Sequence, residues 1–189
     1  MSGKQITWIV IGVVALVLIL SGIGGYNNLV NLNEDVSNKL SQIDNQLQLR
    51  NDLIPNLVAT VKGFAAHEEE ILKNVSDARA KLAGASSVGQ MAEGDAQLTS
   101  ALSRLLVVVE NYPDLKADAN FRQLSDNLSG TENRISVARR DYNESATRYN
   151  TAIRRFPTNI MAGLFGFDKV EYFKAQEGAQ EVPKVDFGE

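Results

Sequence analysis

Apolar side chains recur at every seventh position through most of residues 29–82. Two such rows run four residues apart, which is the spacing of the a and d positions in long helices that pack with a left-handed crossing. The rows are Leu29, Val36, Ile43, Arg50, Leu57, Phe64, Ile71 and Ala78, and Asn33, Leu40, Leu47, Ile54, Val61, Glu68, Val75 and Leu82. The spacing predicts that residues 29–82 are mostly helical. It also predicts an all-α fold, a long-helix antiparallel bundle with coiled-coil-like packing.

Pro55 lies inside this helical pattern. Proline has no backbone N–H, and its ring clashes with the carbonyl four residues earlier, so a helix kinks or ends near it. Two outcomes follow. Either the helix turns sharply near Pro55 and closes a four-helix bundle within one chain, or it continues and leaves part of its apolar stripe without a partner in the same chain. The unbroken seven-residue phase favours continuation.

Continuation through Pro55 would expose an apolar stripe beside the N-terminal segment. An exposed apolar surface of that size usually marks an interface. We therefore expect the stripe to pack against copies of itself in a symmetric assembly, which makes the chain a homo-oligomer. The candidate self-association stripe consists of Leu29, Leu32, Val36, Leu40, Ile43 and Leu47.

The same spacing predicts two further helices and the domain boundaries. One helix is expected over about residues 88–112, where Ser87 and Gln90 match a capping box at its start. The other runs from about Phe121 and stops at Pro157. We expect an N-terminal transmembrane anchor over residues 1–25, a helical bundle domain over 26–160, a short apolar C-terminal segment over 161–175 and a tail over 176–189.

Residues 6–23 are almost wholly apolar, and no charged residue lies between positions 5 and 33. At about 1.5 Å per residue this segment covers about 27 Å, close to the thickness of the hydrocarbon layer of a bilayer. The alternative, a cleavable signal peptide, usually has a shorter apolar stretch of about 7–15 residues. Lys4 precedes the segment and Glu34 follows it. The positive-inside rule then predicts a single-pass cell-membrane protein with a cytoplasmic N-terminus and the bundle on the other side.

The residue types exclude several chemistries. Cysteine is absent, so thiolate metal sites, disulfides and a cysteine nucleophile are excluded. His67 is the only histidine, and the second histidine that a zincin site needs four residues later is Ile71. A carboxylate site for Mg²⁺ or Ca²⁺ is the alternative there. The formal net charge of −4 argues against nucleic acid as a partner. We predict no enzyme activity, no catalytic residues, no cofactor and no metal.

Six ordered blocks of sequence follow the N-terminal apolar segment: YNNLV at 26–30, QLQLRNDLIPNLVATVKGFAAHE at 46–68, LVVVENYPDLKADANF at 106–121, ENRISVARRDYN at 132–143, YNTAIRRFPTN at 149–159 and GLFGF at 163–167. Together with the apolar segment, these blocks resemble the LemA family. The resemblance implies a membrane-anchored helical bundle without established enzymatic activity. It also implies a link to bacterial envelope processes and, in some lineages, to the formation of membrane organelles.

Arg50 and Glu68 occupy row positions that are otherwise apolar. A buried charge without a partner costs several kcal/mol, so either each has polar partners or the row opens to water there. Our hypothesis is that these polar residues contact the third long helix and fix the helix register. The alternative is a solvated face with surface pairs worth less than about 1 kcal/mol. The candidate structural polar or interface positions are Arg50, Asp52, Pro55, Asn56, Glu68, Asn133, Arg134, Arg140, Tyr142 and Asn143.

These patterns favour a non-enzymatic, membrane-anchored helical scaffold that associates with itself, and the resemblance implies that it belongs to the bacterial envelope. Its expected partners are the lipid bilayer and further copies of the chain. The alternative is an adaptor or regulator that binds another envelope protein, such as a membrane protease, in a groove between helices.

Overall fold

The computed structural model describes residues 2–174, and all regular structure in that range is helical. The predicted all-α class is confirmed, and the predicted tail over 176–189 lies outside the described residues. The elements in chain order are α1 Gly3–Phe64, α2 Glu69–Ala83, α3 Val88–Val109, α4 Pro113–Ala117, α5 Ala119–Ala152 and α6 Thr158–Phe165.

The first long helix does not continue to residue 82, because the chain turns at residues 65–68. Two backbone bonds close this turn: Ala65 N–H donates to the Val61 carbonyl at 2.8 Å, and Glu68 N–H donates to the Ala65 carbonyl at 3.2 Å. Acidic side chains follow in the first turn of α2, where the helix dipole favours negative charge. A turn was one of the two expected outcomes, but it lies about ten residues beyond Pro55.

Pro55 itself lies within α1 without ending it. Its missing N–H leaves the Asn51 carbonyl without the usual intrahelical donor. Arg79 of α2 supplies one: its Nε donates to the Asn51 carbonyl oxygen at 3.1 Å. Asn51 lies 14 positions before residue 65 and Arg79 lies 11 positions after residue 68, as expected for two antiparallel helices joined by this turn.

The described residues form two compact units. The first is the described part of Met1–Ser41 with Asp141–Val170, and the second is Gln42–Arg140 with the described part of Glu171–Glu189. The core of the second unit lies between four helices: the C-terminal part of α1, all of α2 and α3, and the N-terminal part of α5. It includes Ile54, Leu57, Val61, Val75, Leu98, Leu105, Phe121 and Ile135.

Within the second unit, α2 and α3 are antiparallel and in close contact. Lys81 and Glu93 form an ion pair at 2.6 Å across them. A Cβ placed on Gly94 would lie only 2.9 Å from the Leu82 Cα, so glycine allows this approach of the two backbones. Ser87 is confirmed as the cap of α3, since its hydroxyl oxygen accepts from Gln90 N–H at 3.2 Å.

The expectation that the candidate self-association stripe lacks a partner within the chain is wrong. Leu29 and Val36 are buried in the first unit, and Ile43 and Leu47 are buried in the second, while Leu32 and Leu40 are half-buried. The physical reason is the turn at residues 65–68: the first long helix ends at Phe64 instead of residue 82, so α5, which is no longer than predicted, runs back along the stripe.

In the first unit, α5 runs beside the stripe. Asp35 accepts a hydrogen bond from the Ser145 hydroxyl, and it also pairs with Arg148 at 3.2 Å. One turn of α1 later, Lys39 lies 4.0 Å from Asp141. Residue numbers that rise along α1 fall along α5, so the two helices are antiparallel here.

The C-terminal part of α5 also holds the segment that follows α6. α5 ends at Ala152, five residues before the predicted end at Pro157. The buried Asn150 side chain donates to the Val170 carbonyl at 2.9 Å and accepts from Val170 N–H at 3.0 Å. This pair fixes residue 170 against α5 within the first unit.

Candidate functional site

Arg50 lies at the centre of a buried group of charges in the second unit. Only 3% of the residue is exposed, because it faces the interior of the bundle. Its guanidinium donates to Asp95 Oδ1 at 2.5 Å and to the Thr99 hydroxyl at 3.0 Å, and it pairs with Glu132 at 2.6 Å. Arg50 therefore connects α1 to α3 and α5.

Asp95 is the second centre of this group. It is fully buried, with 0% of its surface exposed. Arg139 of α5 also pairs with it, and the Arg139 guanidinium lies over the Phe173 ring at 4.8 Å from the ring centre. We call Arg50, Asp95, Glu132 and Arg139 the charge cluster; its two positive and two negative charges balance.

Burial dominates the electrostatics of the charge cluster. It lowers the pKa of Arg50, an effect that the nearby Glu132 carboxylate opposes. Burial, and then the charge of Arg50, lower the pKa of Arg139 to about 10. A pKa of about 10 keeps Arg139 protonated at neutral pH. Arginine side chains in proteins keep their proton in general, so both groups act as fixed cations rather than as bases. Such a network is costly to break, because removing one member leaves a buried charge uncompensated, at about 3–5 kcal/mol.

Glu68 is not part of the charge cluster and makes a separate contact. It accepts a hydrogen bond from the Tyr112 hydroxyl at 2.8 Å, between the turn at 65–68 and the end of α3. This bond, followed by burial and the Glu68 charge, raises the pKa of Tyr112. The contact joins the start of α2 to the end of α3, and this bond does not involve α5.

The structure distributes the other candidate polar positions over both units. Asp52 accepts from Gln48 at 2.8 Å, one turn earlier on the same helix. Asn56 lines a shallow polar groove with Asn120 and Gln123 of α5. Of the remaining candidates, Pro55, Asn133, Arg134 and Arg140 are exposed, Asn143 is half-buried and Tyr142 is buried.

Asp95 was missed by the sequence reasoning, although a signal for it exists. Leu102 and Val109 are seven residues apart in α3, and seven residues before Leu102 lies Asp95. The row therefore places a carboxylate in the core, as it places a guanidinium at Arg50.

His67 is exposed in the turn between α1 and α2, and the glutamates at positions 69 and 70 are exposed beside it. Across residues 2–174, no three histidine, aspartate or glutamate side chains are arranged to hold a metal ion.

The sequence model of the LemA family matches residues 39–187, which is most of the chain. The chain belongs to the LemA family. Similar proteins include the magnetosome protein MamQ 2 of Paramagnetospirillum magneticum, which is 31% identical over 186 residues that cover 85% of this chain and 68% of the relative. MamQ of Magnetospirillum gryphiswaldense is 31% identical over 174 residues, covering 78% and 64%. Protein LemA of Metamycoplasma hominis is 29% identical over 156 residues, covering 82% and 71%.

These relatives place this LemA-family chain among membrane-associated helical proteins, and none of their names denotes an enzyme. The structure agrees with the first part. Within the described residues, α1 is the helix that is long and apolar enough to cross a membrane, and its most apolar stretch is unburied. The family match begins at residue 39, beyond the apolar stretch, so the bundle itself carries the family signal.

Proposed function

We propose that this LemA-family protein is a non-enzymatic, membrane-anchored scaffold of the bacterial envelope that associates with copies of itself. The observation that carries the proposal is the exposed apolar start of α1. Leu16 and Leu20 are more than half exposed there, as lipid-facing side chains would be. The division into an anchor over residues 1–25 and a bundle over 26–160 is part of this proposal.

The charge cluster is the reason that we propose a non-enzymatic role. Its central residues, Arg50 and Asp95, are buried in the bundle and already paired with each other, so a substrate in water does not reach them. Catalytic acids and bases instead work at a cleft where the reacting group enters. The role we assign to the charge cluster is to fix the relative register of α1, α3 and α5.

A double-mutant cycle between Arg50 and Asp95 tests the register role. We expect Arg50→Met alone to lower the free energy of unfolding by about 3–5 kcal/mol, since it leaves buried carboxylates short of a partner. The combination with Asp95→Leu should be less destabilising than the sum of the two single changes. If the two single changes in the free energy of unfolding simply add in the double variant, the proposed role in fixing the helix register is wrong.

Self-association requires an exposed surface, and the buried stripe does not provide one. We assign it to the C-terminal half of α3, where Val107 is 71% exposed and Leu106 is also exposed. Apolar side chains exposed in this way are removed from water when another protein surface covers them, which favours association.

Thiol crosslinking in native membranes tests this surface, because the natural chain has no cysteine. We expect Val107→Cys to give crosslinked dimers of the chain in high yield. Asp126→Cys, at an exposed position on α5, is the matched control and should give few. Equal yields from the two variants, together with a monomer by light scattering in detergent, would refute self-association.

The adaptor function is the second candidate, and a groove between α2 and α3 favours it. The groove encloses about 390 Å³ and is lined by residues that include Ile71, Ala78 and Ala101. Photocrosslinking from Ser100, which also lines the groove, discriminates the two functions. A single foreign protein whose capture is lost on Ala101→Trp favours the adaptor, and products that contain only this chain favour the scaffold.

The proposed orientation places the N-terminus in the cytoplasm. It rests on Lys4 before the apolar segment and the acidic residues Glu34 and Asp35 after it. A membrane-impermeant thiol reagent should label Asp126→Cys in cells whose outer layers are permeable while the inner membrane is intact. Labelling only after the inner membrane is broken would reverse the orientation.

A further inference from the structure

α6 packs against the last turns of the apolar part of α1, within the first unit. The Met161 side chain lies over two glycines of α1: a Cβ placed on Gly22 would be 3.7 Å from its sulfur, and one on Gly25 would be 3.8 Å from its Cγ. The helix is therefore held beside the point where the apolar segment of residues 6–23 ends.

Aromatic rings fix α6 in this position. The Tyr26 ring lies 4.8 Å from the Phe165 ring and 5.8 Å from the Phe167 ring, measured between ring centres. Gly166 separates the two phenylalanines and has a φ of 71°, which a residue with a side chain rarely adopts. This left-handed glycine ends α6 and brings both phenylalanines to Tyr26.

This segment also carries large apolar side chains that the rest of the protein leaves uncovered. Phe156 is 82% exposed, Ile160 49% and Leu164 70%, and each lies four residues after the one before. No charged residue occurs from position 156 to position 167. Arg155 precedes this stretch, and Asp168 and Lys169 follow it, so charged residues flank an uncharged apolar surface.

We propose that residues 156–167 form a second membrane contact, in which α6 lies in the bilayer interface beside the end of the α1 span. This inference rests on the proposed membrane anchoring of α1. Phe156, Ile160 and Leu164 enter the acyl-chain boundary, and Arg155 lies at the level of the lipid phosphates, which guanidinium groups bind well.

The position of α6 along α1 identifies lipid as the occupant of this surface. The residues of α1 that border α6 run from Ile19 to Tyr26, a rise of roughly 10 Å that includes the last apolar turn and the first turn beyond it. An interfacial helix lies at this depth, about 5–10 Å into the headgroup and acyl boundary. Tyrosine is also typical of this level of a membrane.

The groove between α1 and α6 continues the same lipid-facing surface. It encloses about 490 Å³ and is lined almost entirely by apolar atoms, including those of Ile19, Ile23 and Leu164. Ile19 and Ile23 belong to the apolar segment of α1, so a bilayer that surrounds the span also reaches the groove. An acyl chain fits such a groove without leaving polar groups unpaired.

Depth-dependent fluorescence quenching of the full-length chain in lipid vesicles tests the proposal. Leu164→Cys is labelled with a small fluorophore, and the vesicles contain phospholipids with a nitroxide near the headgroup. Val137→Cys is the matched control, since Val137 is an apolar residue of α5 with 48% exposure. We expect the label at position 164 to be quenched several-fold more than the label at position 137, and to emit at shorter wavelength.

Two results would overturn the proposal. Equal quenching at positions 164 and 137 would place α6 in water. A shift of the position-164 emission to shorter wavelength without quenching by the nitroxide lipids would mean that protein, either a second copy or another partner, covers α6.

Trp8 separates failure of this inference from failure of membrane anchoring. It is the only tryptophan and is exposed on α1, far along the helix from α6. Quenching of Trp8 by brominated lipids reports the α1 span independently. If Trp8 is quenched while the label at position 164 is not, only the interfacial contact is refuted; if neither is quenched, the anchor is refuted as well.

Discussion

The contact between Arg79 and the helix interruption at Pro55 gives the sharpest quantitative prediction. Pro55 cannot donate to the Asn51 carbonyl, and Arg79 donates to that oxygen at 3.1 Å instead. Restoring an amide N–H with Pro55→Ala should make Arg79 largely dispensable. The two positions should therefore be energetically coupled, although one lies in α1 and the other in α2.

The expected magnitude follows from the chemistry of the bond. A hydrogen bond from a charged donor contributes about 1.5–3 kcal/mol, and partial exposure of Arg79 to water places the loss on Arg79→Met near the lower end. In a Pro55→Ala background the new N–H satisfies the Asn51 carbonyl, so the same change should cost only its lost packing. We expect a coupling energy of about 1 kcal/mol, above the 0.3–0.5 kcal/mol typical of independent sites.

Urea unfolding of the four proteins of this cycle, followed by helical circular dichroism in one fixed detergent, measures the coupling. The free energies convert to unfolding-temperature differences of about 2–4 °C per kcal/mol for a chain of this size. Lys73→Met in the same α2 helix is the control, because Lys73 makes only an exposed pair with Asp77. If Arg79→Met costs the same with proline and with alanine at position 55, our account of the helix interruption is wrong.

Two further predictions concern the contacts of α2 and α3. Gly94→Ala should destabilise the protein by about 1–3 kcal/mol in the same unfolding assay, because the added Cβ meets the Leu82 backbone; Gly130→Ala, with no close neighbour backbone, should stabilise it by up to about 1 kcal/mol. Tyr112→Phe should lower the unfolding temperature at neutral pH by removing the bond to Glu68. Because that bond raises the pKa of Tyr112, its contribution is present at neutral pH, and the difference should narrow as pH rises through the raised pKa.

The sequence predicts the class of fold and several local features, because these depend on short-range patterns. The seven-residue spacing identifies the helices, and Ser87 identifies the start of α3. The apolar segment of α1 is recognisable from its composition alone. The short α4 helix was not predicted, since the proline that begins it also indicates the end of the helix before it.

The reversal at residues 65–68 could not be located from the spacing. The second row of apolar residues passes from Val61 through Glu68 to Val75, so its phase is the same before and after the turn. A four-residue turn inside one seven-residue interval leaves no gap in the pattern. Pro55 suggested a turn at the wrong position, because a helix can continue through a proline when another side chain donates a hydrogen bond to the freed carbonyl.

The charge cluster shows which part of a site such patterns reveal. Arg50 could be identified because it interrupts an apolar row, and the sequence analysis predicted that it contacts the third long helix. The partner Asp95 required the turn at 65–68 to bring α3 alongside α1. Contacts between residues that are distant in the sequence depend on how the helices are arranged in space. The sequence pattern predicts where helices form more directly than it predicts that arrangement.

The Asn150 contact sets an unusually narrow requirement on one side chain. The primary amide of asparagine carries a hydrogen-bond donor and an acceptor on the same carbon, and here it pairs with the N–H and the carbonyl of Val170 as a neighbouring peptide unit would. Aspartate, its isostere, has the receiving oxygen but no N–H for the Val170 carbonyl, and leucine has neither. Of the groups at this position, only the amide nitrogen of Asn150 can therefore supply the hydrogen bond that the Val170 carbonyl accepts.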